Sequence, residues 1–183
     1  RGLPAGEVKY FVRVKDNLNE WSPATSTTVT ILNNVPTVKS LRVTPTLVKN
    51  VDDPITMSIN GGKDLDGKIV EVRYYRDTAT GESVADGILN IETDALLGSV
   101  TTPAGSFRLV LPSTDFAPGI GRVFAIAYDT NGAASEVVTN TFRKNAPPVI
   151  ETLTATPLPG NSNTTIFSLG AVGVGDSDGT IRS

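Results

Sequence analysis

The chain has 183 residues, of which 39% are hydrophobic and 19% charged, with 17 glycines and 12 prolines, a balance that suits a folded, turn-rich all-β protein and not a disordered one. It holds no cysteine and no histidine, so disulfides, thiolate metal sites, hydrolytic triads and zinc chemistry are not expected. A net charge of −3, a pI near 5.0 and the lack of any Lys/Arg run leave no basic footprint for nucleic acid, and no apolar stretch approaches the ~20 residues of a membrane span.

Residues 1–7 read as neither a signal peptide nor an amphipathic anchor, and the start is expected to be internal to a longer array. From Val8 to Asp16 the run VKYFVRVKD alternates Val8, Tyr10, Val12 and Val14 against Lys9, Phe11, Arg13 and Lys15, which predicts a strand with one buried face. Turn residues fill 17–22, and the β-branched run TSTTVTIL from Thr25 to Leu32 predicts the second arm of a hairpin. Asn33, Asn34 and Pro36 then form a linker, the proline biasing Val35 to an extended conformation.

A new unit starts with a strand from Thr37 to Val43, broken at Thr44 and Pro45. Ile55, Met57 and Ile59 alternate into a second strand, a loop runs from Gly61 to Gly67, and Val70, Val72 and Tyr74 set the inward face of a third. Residues 76–95 read as a long polar loop, and Phe107, Leu109 and Leu111 mark a strand closed by Pro112. The run GRVFAIAYD from Gly121 to Asp129 is the counterpart of the opening strand at an offset of 113 residues, Phe11 matching Phe124 and Asp16 matching Asp129. Asn131-Gly132 suits a type I′ hairpin turn, and Glu136 to Arg143 is the last strand before a linker returns at Asn145, Ala146, Pro147 and Pro148.

Past Val149 the pattern starts again. At an offset of 112 residues Ile150 and Leu153 replace Val38 and Leu41, Thr156 and Pro157 replace Thr44 and Pro45, and Phe167, Leu169 and Ala171 replace Ile55, Met57 and Ile59. The turn KDLDGK, with Asp64 and Asp66, returns as GDSDGT with Asp176 and Asp178. Short strands between turns, with no helical period, predict tandem immunoglobulin-like β-sandwich repeats of about 112 residues. The expected division is the C-terminal strands of one repeat over 1–33, a complete repeat over 34–145 and the N-terminal strands of a third over 146–183.

The runs PTVKSLRVTPTLV, DLDGKIVEVRYYRD, DALLG and GRVFAIAYDTNGAAS, taken in that order, resemble the Ig-like and PKD-like tandem repeats of large bacterial surface and secreted proteins. The resemblance implies an extracellular or cell-surface stalk, adhesin or filament module, or a spacer in a secreted glycan-active enzyme. Related repeats often carry an Asp/Asn/Gly-rich, calcium-like run after the third strand. Here that loop reads DTATGESVADGILNIETDALLG, with Asp77, Asp86, Glu92 and Asp94 as acidic candidates but without the tight D-x-N-G spacing. A loop of this length has either an ion or flexibility as its reason.

In such a sandwich the loops after the second strand (B–C) and before the last (F–G) share one end, near the incoming linker. Asp64, Asp66, Asp129, Asn131 and Asn33 or Asn34 are therefore expected to converge, enough side-chain oxygens for Ca²⁺ once carbonyls and water join. Asn145, Asp176 and Asp178 would repeat the site. The plainer reading is that Asp66-Gly67 and Asp178-Gly179 are turn residues only. Paired carboxylates inside a repeated turn are not read as an active site, so no catalysis is expected. Tyr74 reads as core and Tyr75 as half-exposed, while Trp21 either stacks on a sugar or covers a junction. The expected partners are neighbouring repeats of the same polypeptide, copies of the chain paired through strand edges in a filament, or a surface glycan or protein.

Overall fold

The computed structural model describes residues 3, 5–50, 52–78, 86–101, 107–156, 166 and 168–182. The predicted Pro157 and Phe167 matches, and the part of the long loop at 79–85, lie outside the described residues. Every regular element among the described residues is a strand, apart from one 3-10 turn at Ser113–Asp115.

The first hairpin joins β1 (Gly6–Val12) to β2 (Thr25–Ile31), antiparallel, with Gly6 opposite Ile31 and Val12 opposite Thr25. The central part has β3 (Ser40–Thr44), β4 (Leu47–Val48), β5 (Pro54–Asn60), β6 (Ile69–Arg76), β7 (Ala95–Val100), β8 (Leu109–Pro112), β9 (Gly119–Asp129) and β10 (Val138–Lys144). They form two sheets, one ordered β3-β5-β8 and one ordered β4-β10-β9-β6-β7. A last antiparallel hairpin pairs β11 (Val149–Thr156) with β12 (Ser168–Gly175), Leu153 standing opposite Ala171.

Alternation explains the burial. In β5, Ile55, Met57 and Ile59 are buried while the residues between them are not, as a period of two requires of a strand with one face in a core. β9 lies between β10 and β6 and is buried from Val123 to Ala127 on successive residues, the pattern of a central strand covered on both faces.

Contacts divide the chain into two compact units. The first comprises 1–43, 56–110 and 122–140. It contains the first hairpin and a core that includes Leu41, Met57, Val72, Tyr74 and Phe124. Within it Asn140 Nδ2 donates to the carbonyl of Leu41 at 2.8 Å, and the Tyr74 hydroxyl donates to the carbonyl of Phe107. The second comprises 44–55, 111–121 and 141–183. Here the rings of Phe116 and Phe142 meet edge to face at 4.9 Å, and the buried Lys144 ammonium donates to the carbonyls of Ser113 at 2.7 Å and Phe116 at 2.6 Å.

Several expectations need correction. The long loop ends in a strand, β7, which pairs with β6 through a bulge between Tyr74 and Tyr75. That pairing, with Tyr75 also facing Phe124 of β9, leaves Tyr75 buried and not half-exposed. Phe107 is not part of β8: its φ of 52° is incompatible with a strand, its carbonyl accepts from the Tyr74 hydroxyl and the residue is buried. The chain resumes after Pro45 as β4, which pairs in parallel with β10 in the other sheet, so the break at Thr44-Pro45 marks a change of sheet. The Asn131-Gly132 turn is not type I′, which needs positive φ at both central residues, because only Gly132 has it, at 83°.

Candidate junction site

Asn33 and Asn34, between β2 and β3, bond to two turns among the central strands. In the turn after β5, the Asp66 N–H donates to Asp64 Oδ1 at 3.3 Å, a side chain closing the backbone two residues on. A Cβ on Gly67 would lie 2.7 Å from Asp64 Oδ2 and 3.2 Å from Thr130 Oγ1, so a larger residue there would have to displace the Asp64 side chain. The backbone N–H of Asn34 donates to Asp66 Oδ2 at 3.0 Å.

In the loop after β9, Asp129 Oδ1 accepts from the N–H groups of Asn131 and Ala133, each at 2.8 Å, and its Oδ2 accepts from Asn33 Nδ2 at 2.6 Å. Asn131 in turn donates its side-chain amide to Asn33 Oδ1. Hydrogen bonds join Asn34, Asp64 and Asp66 in one group and Asn33, Asp129 and Asn131 in another, and the two groups meet at the Asn33–Asn34 peptide.

The electrostatics follow from these donors. The Asn34 N–H is the main reason that the Asp66 carboxyl is held below its usual range, against an opposing push from burial. Burial alone would raise Asp129, but the Asn33 amide and the N–H groups of Ala133, Asn131 and Gly132 together outweigh it and hold that carboxyl low as well.

The second linker repeats the arrangement at an offset of 112 residues. Asp178 N–H donates to Asp176 Oδ1 at 3.2 Å, a Cβ on Gly179 would lie 2.5 Å from Asp176 Oδ2, and Ala146 N–H donates to Asp178 Oδ1 at 3.2 Å. One difference was not foreseen. Arg143 donates to the Asp178 carbonyl at 2.7 Å and lies 3.5 Å from its Oδ2, whereas the equivalent position of the first linker holds Ile31. The Arg-for-Ile change at matched positions was the signal for it. Asn145 is spent locally, its amide donating to the Ala146 carbonyl at 3.1 Å.

The loop after β9 also has a double. In the first hairpin Asp16 Oδ1 accepts from the N–H groups of Leu18 and Glu20 as Asp129 Oδ1 does from Asn131 and Ala133. Ser22 Oγ accepts from Val14 N–H as Ser135 Oγ does from Ala127, and positive φ falls on Asn19 where the second loop has Gly132.

The long-loop candidates do not gather. Asp77 Oδ2 accepts from Gly87 N–H at 3.0 Å and faces Arg122 Nε at 3.6 Å, and Asp86 Oδ1 accepts from Ile88 N–H at 2.8 Å. Asp94 accepts from Thr78 N–H at 3.0 Å and Asn90 N–H at 2.9 Å, while Glu92 uses its backbone N–H on the Asn90 side chain. Asp77, Asp86 and Asp94 each hold loop backbone, and among the described residues no three acidic side chains form a group that could hold a metal ion.

Two oxygens of the junction stand out, since Asp64 Oδ2 and Asp66 Oδ1 are buried with no hydrogen-bond partner. Buried carboxylate oxygens without donors are costly, and a hard, oxygen-seeking cation such as Ca²⁺ matches that donor type. No three acidic side chains among the described residues form a metal-holding group. Asparagine and carbonyl oxygens would have to complete the shell. Trp21 is exposed, with Arg13 and Lys15 over its ring at 5.6 and 5.7 Å, and the buried Tyr74 and Tyr75 offer no stacking platform for a sugar. No helix among the described residues is long and apolar enough to cross a membrane.

No protein-family model and no curated protein matches the chain. Among solved structures it is similar to fibronectin(III)-like modules of Clostridium thermocellum CbhA, with a TM-score of 0.42 and 20% identity, over 78% of this chain and 65% of that one. It is also similar to a putative polysaccharide deacetylase from Bacillus anthracis (TM-score 0.41, 18% identity, 58% of this chain and 30% of that one). A third is the glycoside hydrolase domain of Endo-D from Streptococcus pneumoniae (TM-score 0.39, 19% identity, 64% of this chain and 16% of that one). The chain spans less than two thirds of each. At scores this low the likeness carries no inference, and the all-β character rests on the strands themselves.

Proposed function

We propose that the chain is a non-catalytic segment of an extracellular stalk or fibre, built from immunoglobulin-like sandwich repeats whose linkers are locked to the turns of the following repeat. One observation carries this reading. The linker N–H to turn carboxylate bond, Asn34 to Asp66, recurs 112 residues on as Ala146 to Asp178. A contact that ties a linker to the next repeat, and is built twice, limits bending at each junction, which is what a load-bearing or spacing element requires. An active site would not be expected to recur in every repeat.

Ca²⁺ is the proposed brace of the first junction, held by Asp64 and Asp66 through the two oxygens that no donor satisfies. A cation bound only when linker and turn are together stabilises that state alone. The test is a melting curve with millimolar Ca²⁺ and with chelator. The expected result is a higher transition with Ca²⁺, lost in the Asp64→Ala, Asp66→Ala double variant. An unmoved transition removes the metal and leaves the hydrogen-bonded lock. The lock itself is tested by measuring linker order in relaxation experiments with chelator present: mobile Asn33 and Asn34 amides would overturn it.

A further inference from the structure

The chain contains two Asn-Gly pairs, Asn60-Gly61 and Asn131-Gly132. Asparagine is chemically labile, and most so before glycine, which has no side chain to keep its backbone nitrogen away from the preceding amide carbon. Both asparagines are exposed, so water and base reach each of them. What differs is how their reacting groups are held.

At Asn131 both groups are engaged. The side-chain amide donates to Asn33 Oδ1, the residue's own N–H donates to Asp129 Oδ1 at 2.8 Å, and the Gly132 N–H donates to the Asp129 carbonyl at 3.2 Å. Asn33 is itself fixed, donating to Asp129 Oδ2 at 2.6 Å. Ring closure needs the Asn131 amide to leave Asn33 and turn onto the Gly132 nitrogen, and that nitrogen to give up the proton it offers to Asp129. The Asn60 side chain has no hydrogen-bond partner among the described residues, while its backbone carbonyl accepts from the Lys39 N–H at 3.0 Å.

We propose that Asn131 is a deamidation site gated by Asn33. When the segment around Asn33 lifts away, the Gly132 nitrogen attacks the carbonyl carbon of the Asn131 side chain. The new C–N bond closes a succinimide, and the amide nitrogen leaves as ammonia. Water then opens the ring at either carbonyl, leaving aspartate or isoaspartate. The product lacks the amide that donated to Asn33 and carries a negative charge beside Asp129, so that bond is lost. A local opening, reversible in itself, is thereby recorded permanently. Asn33, Asp129, Asn131 and Gly132 all lie in the first compact unit, and the proposal needs neither the calcium nor the stalk assignment.

The experiment is incubation of the 183-residue chain at mildly alkaline pH with chelator, both Asn-Gly pairs being followed in time by peptide mapping and mass spectrometry. The same chain in urea supplies the unrestrained rate at each pair. Folding is expected to slow conversion at Asn131 at least several-fold relative to urea, and to slow it less at Asn60. Asn33→Ala is expected to raise the Asn131 rate several-fold and leave the Asn60 rate unchanged, with slow amide exchange in β9 checking that the core stays folded. Asn131→Asp, which imitates the product, is expected to leave the Asn33 backbone amide more mobile in relaxation measurements. Conversion at Asn131 as fast in the folded wild type as in urea overturns the proposal. So does an unchanged Asn131 rate in folded Asn33→Ala, or an Asn33 amide as ordered in Asn131→Asp as in the wild type.

Discussion

The backbone N–H of Asn34 donates to Asp66 Oδ2 at 3.0 Å, which makes a linker residue part of a turn 32 positions further along the chain. Because Ala146 and Asp178 reproduce it at 3.2 Å, replacement of either aspartate should act locally and in parallel. Asp66→Ala is expected to speed hydrogen exchange at the Asn34 amide, and Asp178→Ala at the Ala146 amide, with the other junction unaffected in each case. Exchange measured by NMR on both variants checks this; a change spread over the whole chain would mean that the bonds are not local locks.

Acid should loosen the first junction. The Asp129 carboxyl lies below its ordinary value of 3.8 in the folded chain, so its contribution is fully present above that value and is lost as pH falls through the lower folded-state value. Asp66 shifts in the same direction. Melting followed from pH 7 down to pH ~2 should therefore show a decline confined to the region below about 4, and Asp129→Ala should flatten part of it.

Gly121 of β9 faces the Phe142 ring so closely that a Cβ would lie 2.5 Å from its Cζ. The ring is held edge-on by Phe116 at 4.9 Å and cannot swing aside without losing that contact. Gly121→Ala is expected to cost about 1–3 kcal/mol, the range for overpacking a filled core, read from denaturant unfolding. A neutral result would show that the Phe116–Phe142 pair moves as a body.

Lys144 is buried, and its ammonium satisfies the carbonyls of Ser113 and Phe116. Lys144→Met keeps most of the side-chain volume but removes both donors, and should destabilise by about 2 kcal/mol, the scale of losing hydrogen bonds from a charged group. Chemical denaturation of the variant measures it. The matching residue of the first hairpin, Leu32, is exposed, so Leu32→Ala should change stability by less than about 0.5 kcal/mol.

By itself the sequence determined where the Asp-led turns fall and which face of β5 is buried, but not the faces of every strand: Tyr10, Val12 and Val14, expected on a buried face, are exposed, and so is Val70, expected to face inward. The Asp64-to-Asp66 and Asp129-to-Asn131 bonds join residues two apart, and alternation in β5 depends only on the pleat, so local residues decide them. The Asn34-to-Asp66 and Asn33-to-Asp129 bonds join residues 32 and 96 positions apart, so folding and not local sequence makes them. Only the tertiary structure decided which strands β4 and β7 join, that Tyr75 is buried between β7 and β9, and that Asp77 and Asp94 close their own loop. It also decided that Arg143 faces Asp178. Those outcomes depend on partners brought close in space by folding, such as the Gly87 N–H for Asp77 and Arg143 for Asp178, and not on neighbours in sequence.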